Sequence, residues 1–311
     1  EMTSSLVGSE MCIRDRYLCL DFGGTGVKYA IIDENFQLYD VNKENKIFQS
    51  HDEMITWVVD LFKTIHMKLS GIAISYCGEM NPFTGLIKNG GSYRFNDNKN
   101  IKQILWSKCH VPVSIENDGN CAALAELYRG SLKETSNGAV LVLGTGVGCA
   151  IIINGELYRG CNYFAGAATF SLIDSKHDFD WQNTFGLIGG VGYLTRNYEK
   201  RFALERNSID GLAFFNKANH NDIASLEILR DYTKNLARYI FNMQMLLDLE
   251  NISIGGGIST QPLLLTMLKK EVSDLFDCIP VPVTPPEIKV CHYYNDANLI
   301  GAFCWYKKAN F

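Results

Sequence analysis

One kind of glycine turn occurs twice in this chain, and that repeat limits the possible folds more than any other feature. Asp21-Phe-Gly-Gly-Thr-Gly-Val-Lys28 runs into Ala30-Ile-Ile, and Val142-Leu-Gly-Thr-Gly-Val-Gly148 runs into Ala150-Ile-Ile-Ile153. Each copy reads as strand, tight turn, strand, because β-branched runs flank residues suited to a sharp reversal. Thr25 and Thr145 hold the same slot 120 positions apart, so the chain reads as two related halves. Glycines at such a turn let backbone N–H groups approach an anion with no Cβ in the way. Gly23, Gly24 and Thr25 then form one phosphate cradle, and Gly144, Thr145 and Gly146 a second. Two facing cradles suit a triphosphate, whereas either turn alone is equally at home in an ordinary hairpin.

The 311 residues are enough for two domains with separate cores, and 47% hydrophobic with 20% charged residues is a globular composition. A net charge of −5 with no Lys/Arg run argues against nucleic acid as a main partner. The longest apolar stretch, residues 139–153, is interrupted by the second turn and is too short to cross a bilayer as a helix, so no membrane partner is expected. Ten cysteines form no Cys-x-x-Cys pair and six histidines show no ligand spacing, which points to a reduced, cytoplasmic setting. Residues 1–16 lack periodicity and are expected to be a non-native or disordered leader before a start near Tyr17.

Along the chain, a first hairpin over 17–38 precedes Ile55, Val58, Val59, Phe62, Ile65 and Leu69, whose spacing predicts a helix over 51–69. Strands follow at 71–75 and 111–115, turn chemistry at 81–85 and 89–91, and helices at 101–108 and 118–129. The second half repeats the plan. It has a hairpin over 138–158, helices at 192–204, 222–248 and 262–276, strands at 251–254 and 288–291, and a closing helix over 296–307. This order predicts an α/β protein of two similar lobes with a ligand cleft between them. The expected division is a small lobe over 17–117, joined by the closing helix at 295–308, and a larger lobe over 118–294. Asp174, His177, Asp178 and Asp180 stand together in the loop 164–185, where a solvated cluster is expected.

Asp21 ends the first strand, and a carboxylate there faces the same opening as the first cradle, placed to hold Mg²⁺ through water. It equally suits an Asp that stabilises the turn by bonding its own backbone. Lys28 on the outgoing strand offers a point charge for phosphate, or is simply an exposed strand lysine. Residues 116–120, Glu-Asn-Asp-Gly-Asn, follow an apolar strand and open a helix. Capping explains one of these polar residues, but not four at a strand-to-helix junction, where parallel sheets place their ligands. Asp118 is the expected general base, taking a proton from a hydroxyl that attacks phosphorus. Gly255, Gly256 and Gly257 follow a strand and offer a flat surface for a purine, although close helix–strand packing gives the same composition.

In this order and spacing the motifs resemble the ROK family (repressors, open reading frames and kinases), over about Tyr17 to Tyr306. Residues 21–25 look like its first phosphate motif, 116–120 its catalytic motif, 144–146 its second phosphate motif and 255–257 its adenosine motif. Residues 81–92 most resemble the β-glucoside kinase branch. The resemblance implies the two-lobed actin-like ATPase fold, which is ribonuclease H-like with duplicated sheets, and transfer of the γ-phosphate of ATP to the 6-hydroxyl of a glucose unit. It further implies Mg²⁺, sugar contacts from Gly78, Gly91, Ser92, Asn117 and Asp118, and a homodimer. Two departures stand out. Ala167 occupies the place of the family's sugar-binding glutamate, and losing a hydrogen bond to a charged group weakens binding by roughly 10- to 100-fold. The family's cysteine-rich zinc loop is also missing, so no structural zinc is expected. The rival readings are a catalytically weakened sugar-binding regulator and a kinase for an N-acetylated or acidic hexose, the latter using Arg94.

Overall fold

The computed structural model describes residues 15–173 and 183–310. Its first half contains β1 (Arg16–Gly23), β2 (Gly26–Asp33), β3 (Leu38–Glu44), α1 (His51–Thr64), β4 (Gly71–Tyr76), β5 (Glu79–Asn81), β6 (Leu86–Asn89), α2 (Ile101–Cys109) and β7 (Val113–Asn117). The second contains α3 (Asp118–Arg129), β8 (Gly138–Leu143), β9 (Val147–Ile153), β10 (Glu156–Tyr158), α4 (Phe185–Ile188), α5 (Val191–Arg201), α6 (Gly211–Asn219), α7 (Ile223–Leu247), β11 (Asn251–Gly255), α8 (Pro262–Asp277) and β12 (Glu287–Val290). The chain then closes with α9 (Ala297–Asn310).

The duplication read from the turns is visible in the sheets. One runs β3-β2-β1-β4-β7 and the other β10-β9-β8-β11-β12. In each, an antiparallel three-strand meander is extended by two parallel strands. Hairpin turns connect the antiparallel strands, while crossovers through helices connect the parallel ones. All six residues of β4 are buried, as a central strand covered on both faces requires.

Between the two sheets lie α3 and α9. They share a core with β1 and β2 from one side and with β8 and β9 from the other, through Cys19, Ala30, Val140, Ile152, Leu299 and Phe303. The helices approach closely: a Cβ on Gly301 would lie 1.7 Å from the carbonyl oxygen of Cys121. Any side chain at position 301 would push the helices apart.

Three sequence expectations change. Arg16 belongs to β1 and its carbonyl accepts from Ser70 N, so the first strand begins one residue before Tyr17. The strand β3 was not expected because four of its seven residues are exposed, which leaves no apolar alternation to read. The helix α6 was missed as well. It is short, opens on glycine, and is started by Asp210, whose side chain accepts from Ala213 N. The Asp174–Asp180 cluster lies outside the described residues. Among the described residues no helix is long and apolar enough to cross a membrane.

Candidate active site

Asp118 is placed by the junction of β7 and α3. Asn117 caps the helix: its Oδ1 accepts from Asn120 N at 3.2 Å while its Nδ2 donates to the Gly78 carbonyl at 3.0 Å. Asp118 Oδ1 accepts from Gly119 N at 2.8 Å. Burial first, and then the charge of Asp21, push the Asp118 carboxyl up to about 6. That value is near the pH at which a base works in a cell, low enough to be ionised and high enough to hold a proton.

Three cavities adjoin along the groove. The first, of about 180 Å³, is lined by Gly78, Asn117, Asp118, Phe164 and Ala167 among others. The second, of about 320 Å³, shares Asp118, Gly119 and Thr169 with the first and adds Gly144, Gly146 and Asn298. The third, of about 450 Å³, shares Gly144 with the second and continues to Thr145, Asp210, Phe215 and Gly257. Asp118 therefore stands where a small cavity of mixed polar and apolar lining meets a longer one that runs past the second glycine turn. A Cβ on Gly144 would meet no protein atom closer than 3.9 Å, and one on Gly257 nothing within 4 Å. The fold itself does not demand glycine at these two positions, and the bare backbone there is open to the close approach of a ligand. Gly256 is different, since it has φ +92° and a Cβ there would lie 2.2 Å from the Leu143 carbonyl. Gly255 packs against Cys291.

The first turn is arranged otherwise. Gly24 and Thr25 are exposed, and the Gly23 carbonyl accepts from Tyr93 OH at 2.8 Å. Ser92 sits beside this turn, 2.9 Å from where a Gly24 Cβ would lie. Gly91 is held at φ +59° behind Gly78, with the Cys77 carbonyl 1.7 Å from its absent Cβ. These two residues border the site without lining the first cavity. Lys28 is already engaged: its Nζ donates to the Asn295 carbonyl at 2.9 Å and pairs with Asp296 Oδ1 at 2.5 Å. Asp21 Oδ1 accepts from Ser75 Oγ at 2.8 Å and from Asn298 Nδ2 at 3.1 Å, and burial pushes its carboxyl upward. Arg94 pairs with Asp97 on the surface, its side chain 70% exposed, and lines none of the three cavities.

Sequence reasoning missed Ser75, Asn298 and Arg159. Arg159 Nε lies 2.7 Å from Glu116 Oε2 with both side chains largely buried. Nothing in their sequence spacing links residues 43 positions apart. Glu116 itself was visible in the polar run, without a role.

Duplicated meander-plus-crossover sheets closing on a nucleotide-sized groove define the actin-like ATPase fold. A sequence model of the ROK family matches residues 17–309, and the chain belongs to that family. It is 31% identical over 285 residues to a β-glucoside kinase of Listeria innocua, covering 91% of this chain and 94% of that protein. A crystal structure of a ROK family protein from Streptococcus pneumoniae in complex with sucrose is 29% identical, with a TM-score of 0.85 over 94% of this chain and 98% of that one. A ROK glucokinase from Streptomyces griseus, solved with glucose and AMPPNP, shares the fold at 17% identity, with a TM-score of 0.79 over 92% of this chain and 97% of that one.

Proposed function

We propose that this carbohydrate kinase transfers the γ-phosphate of ATP to the 6-hydroxyl of a glucose unit, free or carried in a β-glucoside, with Asp118 as general base. The observation that carries the reading is the position of Asp118 at the meeting of the small cavity and the glycine-bordered one. A sugar bound against Gly78 and Asn117 presents a hydroxyl to Asp118. The carboxylate takes its proton as the oxygen attacks phosphorus, and ADP leaves with the bonding pair of the broken P–O bond. Gly144, Thr145 and Gly146 supply backbone N–H groups to the phosphates, and Gly257 a flat floor beside the adenosine. Positioning and electrostatics supply the rate, and approach of the 17–117 lobe with the closing helix excludes water as a competing acceptor.

Mg²⁺, when bound, neutralises charge on the phosphates. The described residues hold no group of three or more acidic, cysteine or histidine side chains able to cage a metal. One carboxylate, Asp21, with only Oδ1 engaged by Ser75 and Asn298, fits a hydrated ion brought in with the nucleotide.

A fourth cavity, of about 740 Å³, favours a glycoside over the free hexose. It shares Phe164, Gly166, Ala167, Ala168 and Phe170 with the sugar cavity. Ala167, with its short side chain, lies in the wall they share. A homodimer in the cytoplasm is part of the same reading, from the family resemblance and the free cysteines.

A coupled ADP-release assay over glucose, aryl β-glucosides, cellobiose, mannose, fructose and N-acetylmannosamine tests it, with phosphorus NMR to locate the product phosphate. Turnover on glucosides with phosphate at the 6-position is expected. Sugar binding without turnover on any of them would overturn the reading in favour of a regulator.

A further inference from the structure

The Arg159–Glu116 pair at the base of α3 draws together side chains from four parts of the chain. Arg159 follows β10 in the second half, and Glu116 lies on β7 in the first. The guanidinium carbon is 4.2 Å from the Trp305 ring on α9 and 5.8 Å from the Phe83 ring between β5 and β6. Those two rings meet edge to face at 5.3 Å. Arg159 is thus held by a carboxylate and two aromatic faces, while its Nη2 is buried with no hydrogen-bond partner among the described residues. A buried ion pair adds little net stability over an apolar replacement, so stability alone is a weak reason for this one.

Its connections run in two directions. On one side, the second oxygen of the carboxylate, Glu116 Oε1, accepts from Asn117 N at 2.8 Å and from Asn120 Nδ2 at 3.0 Å. These residues flank Asp118. On the other side, the Arg159 carbonyl accepts from Ala165 N at 3.1 Å, which ties it to the segment lining the sugar cavity. The same segment is fastened to the first half by Lys88 Nζ, which donates to the Asn162 carbonyl at 3.2 Å.

We infer that Arg159 is a positioning residue for Asp118: through Glu116 it fixes the first turn of α3, and so couples docking of the sugar-side segment to the aim of the base. This rests on the reading of Asp118 as base. Arg159 touches neither substrate nor phosphate in this scheme. It acts through two carboxylate oxygens, one held by the guanidinium and the other holding the backbone and side-chain donors around the base.

The test is a set of four variants, Arg159→Met, Arg159→Lys, Glu116→Gln and the Arg159→Met/Glu116→Gln double, assayed for kcat, both KM values, the pH profile of kcat and Tm. Misplacing a catalytic group by about an ångström costs up to roughly 100-fold, so Arg159→Met is expected to lower kcat about 10- to 100-fold with KM for ATP within about twofold. Arg159→Lys should recover part of the loss, because it keeps the charge but not the flat stacking. The double variant should be no slower than Arg159→Met, since both changes break one path. The acid limb of the kcat profile should move to lower pH as Asp118 leaves its enclosed position. Losses that multiply in the double variant, or wild-type kcat and pH profile with only Tm lowered, would overturn the inference. If Arg159→Met does not fold, Glu116→Gln and Arg159→Lys carry the same comparison. An inactive Asp118→Asn beside a fully active Arg159→Met would sink this inference and spare the base, whereas an active Asp118→Asn would sink the base itself.

Discussion

The two glycine turns occupy the same corner of two sheets with the same strand order, yet they face different surroundings. Gly144, Thr145 and Gly146 border the run of cavities that reaches Asp118. Gly24 and Thr25 are exposed beside Ser92 and line none of those cavities. The second turn is also braced from behind, since Val191 N donates to the Gly144 carbonyl at 2.8 Å. Duplication therefore reproduced the scaffold without reproducing the surroundings of the turn. On the proposed function, the second turn holds the nucleotide in the open protein and the first reaches the phosphates only as the lobes approach.

Asp118→Asn should give the largest effect and set the floor for judging both turns: kcat lower by roughly 10²- to 10⁴-fold, with sugar affinity nearly unchanged by calorimetry. Retained turnover would remove Asp118 from the mechanism and make the contrast between the turns meaningless. Next, Gly144→Ala has room in the fold, so Tm should hold while KM for ATP rises about 10-fold through lost backbone approach to the phosphates. Gly24→Ala must displace Ser92 Oγ and should instead lower kcat by about 10-fold with KM for ATP within threefold. Equal KM effects from the two alanines would break the distinction drawn here.

The pH dependence is a third measurement. Asp118 near 6 predicts that kcat/KM for the sugar falls below about pH 6, as the base becomes protonated. Asp21 and the Cys77 and Cys121 thiols are the titratable groups coupled to it. Stability moves the other way. The folded carboxyl lies above its unfolded value, so folding favours the neutral acid, and that benefit is full below about pH 4 and lost as pH rises through 6. Asp118→Asn should accordingly be more stable than wild type at pH 8, by about 1–3 kcal/mol, and no more stable at pH 4. Denaturant titrations at the two pH values check this. The smallest effect is expected from Asp296→Asn, which frees Lys28 from a partly exposed pair. KM for ATP should drop about twofold, and an unchanged KM would leave Lys28 a lobe-bridging residue with no part in nucleotide binding.

Much of this architecture was legible because it is carried by local patterns. The two hairpins, the helical spacing of 51–69 and the strand-to-helix junction at 117–118 are short-range signals, and each falls within a few residues of its observed place. β3 escaped because an exposed edge strand has no buried face to write into its sequence. Of the candidate site, Asp118 and the second turn stand out in the sequence as a polar run and a set of glycines. The supports of the carboxylates could not, because Ser75 and Asn298 reach Asp21 across 54 and 277 positions. Arg159 is the sharpest case, since only the folded chain brings Trp305, Phe83 and Glu116 around it.

The contact between Gly301 and Cys121 limits how this molecule can open. Main chain rests on main chain there, with no layer of side chains whose rotamers would let one helix slip along the other. Such a contact resists sliding more than swivelling. On the proposed function, a swivel about it would move Asp118, only three residues before Cys121, far less than the rims of the two halves.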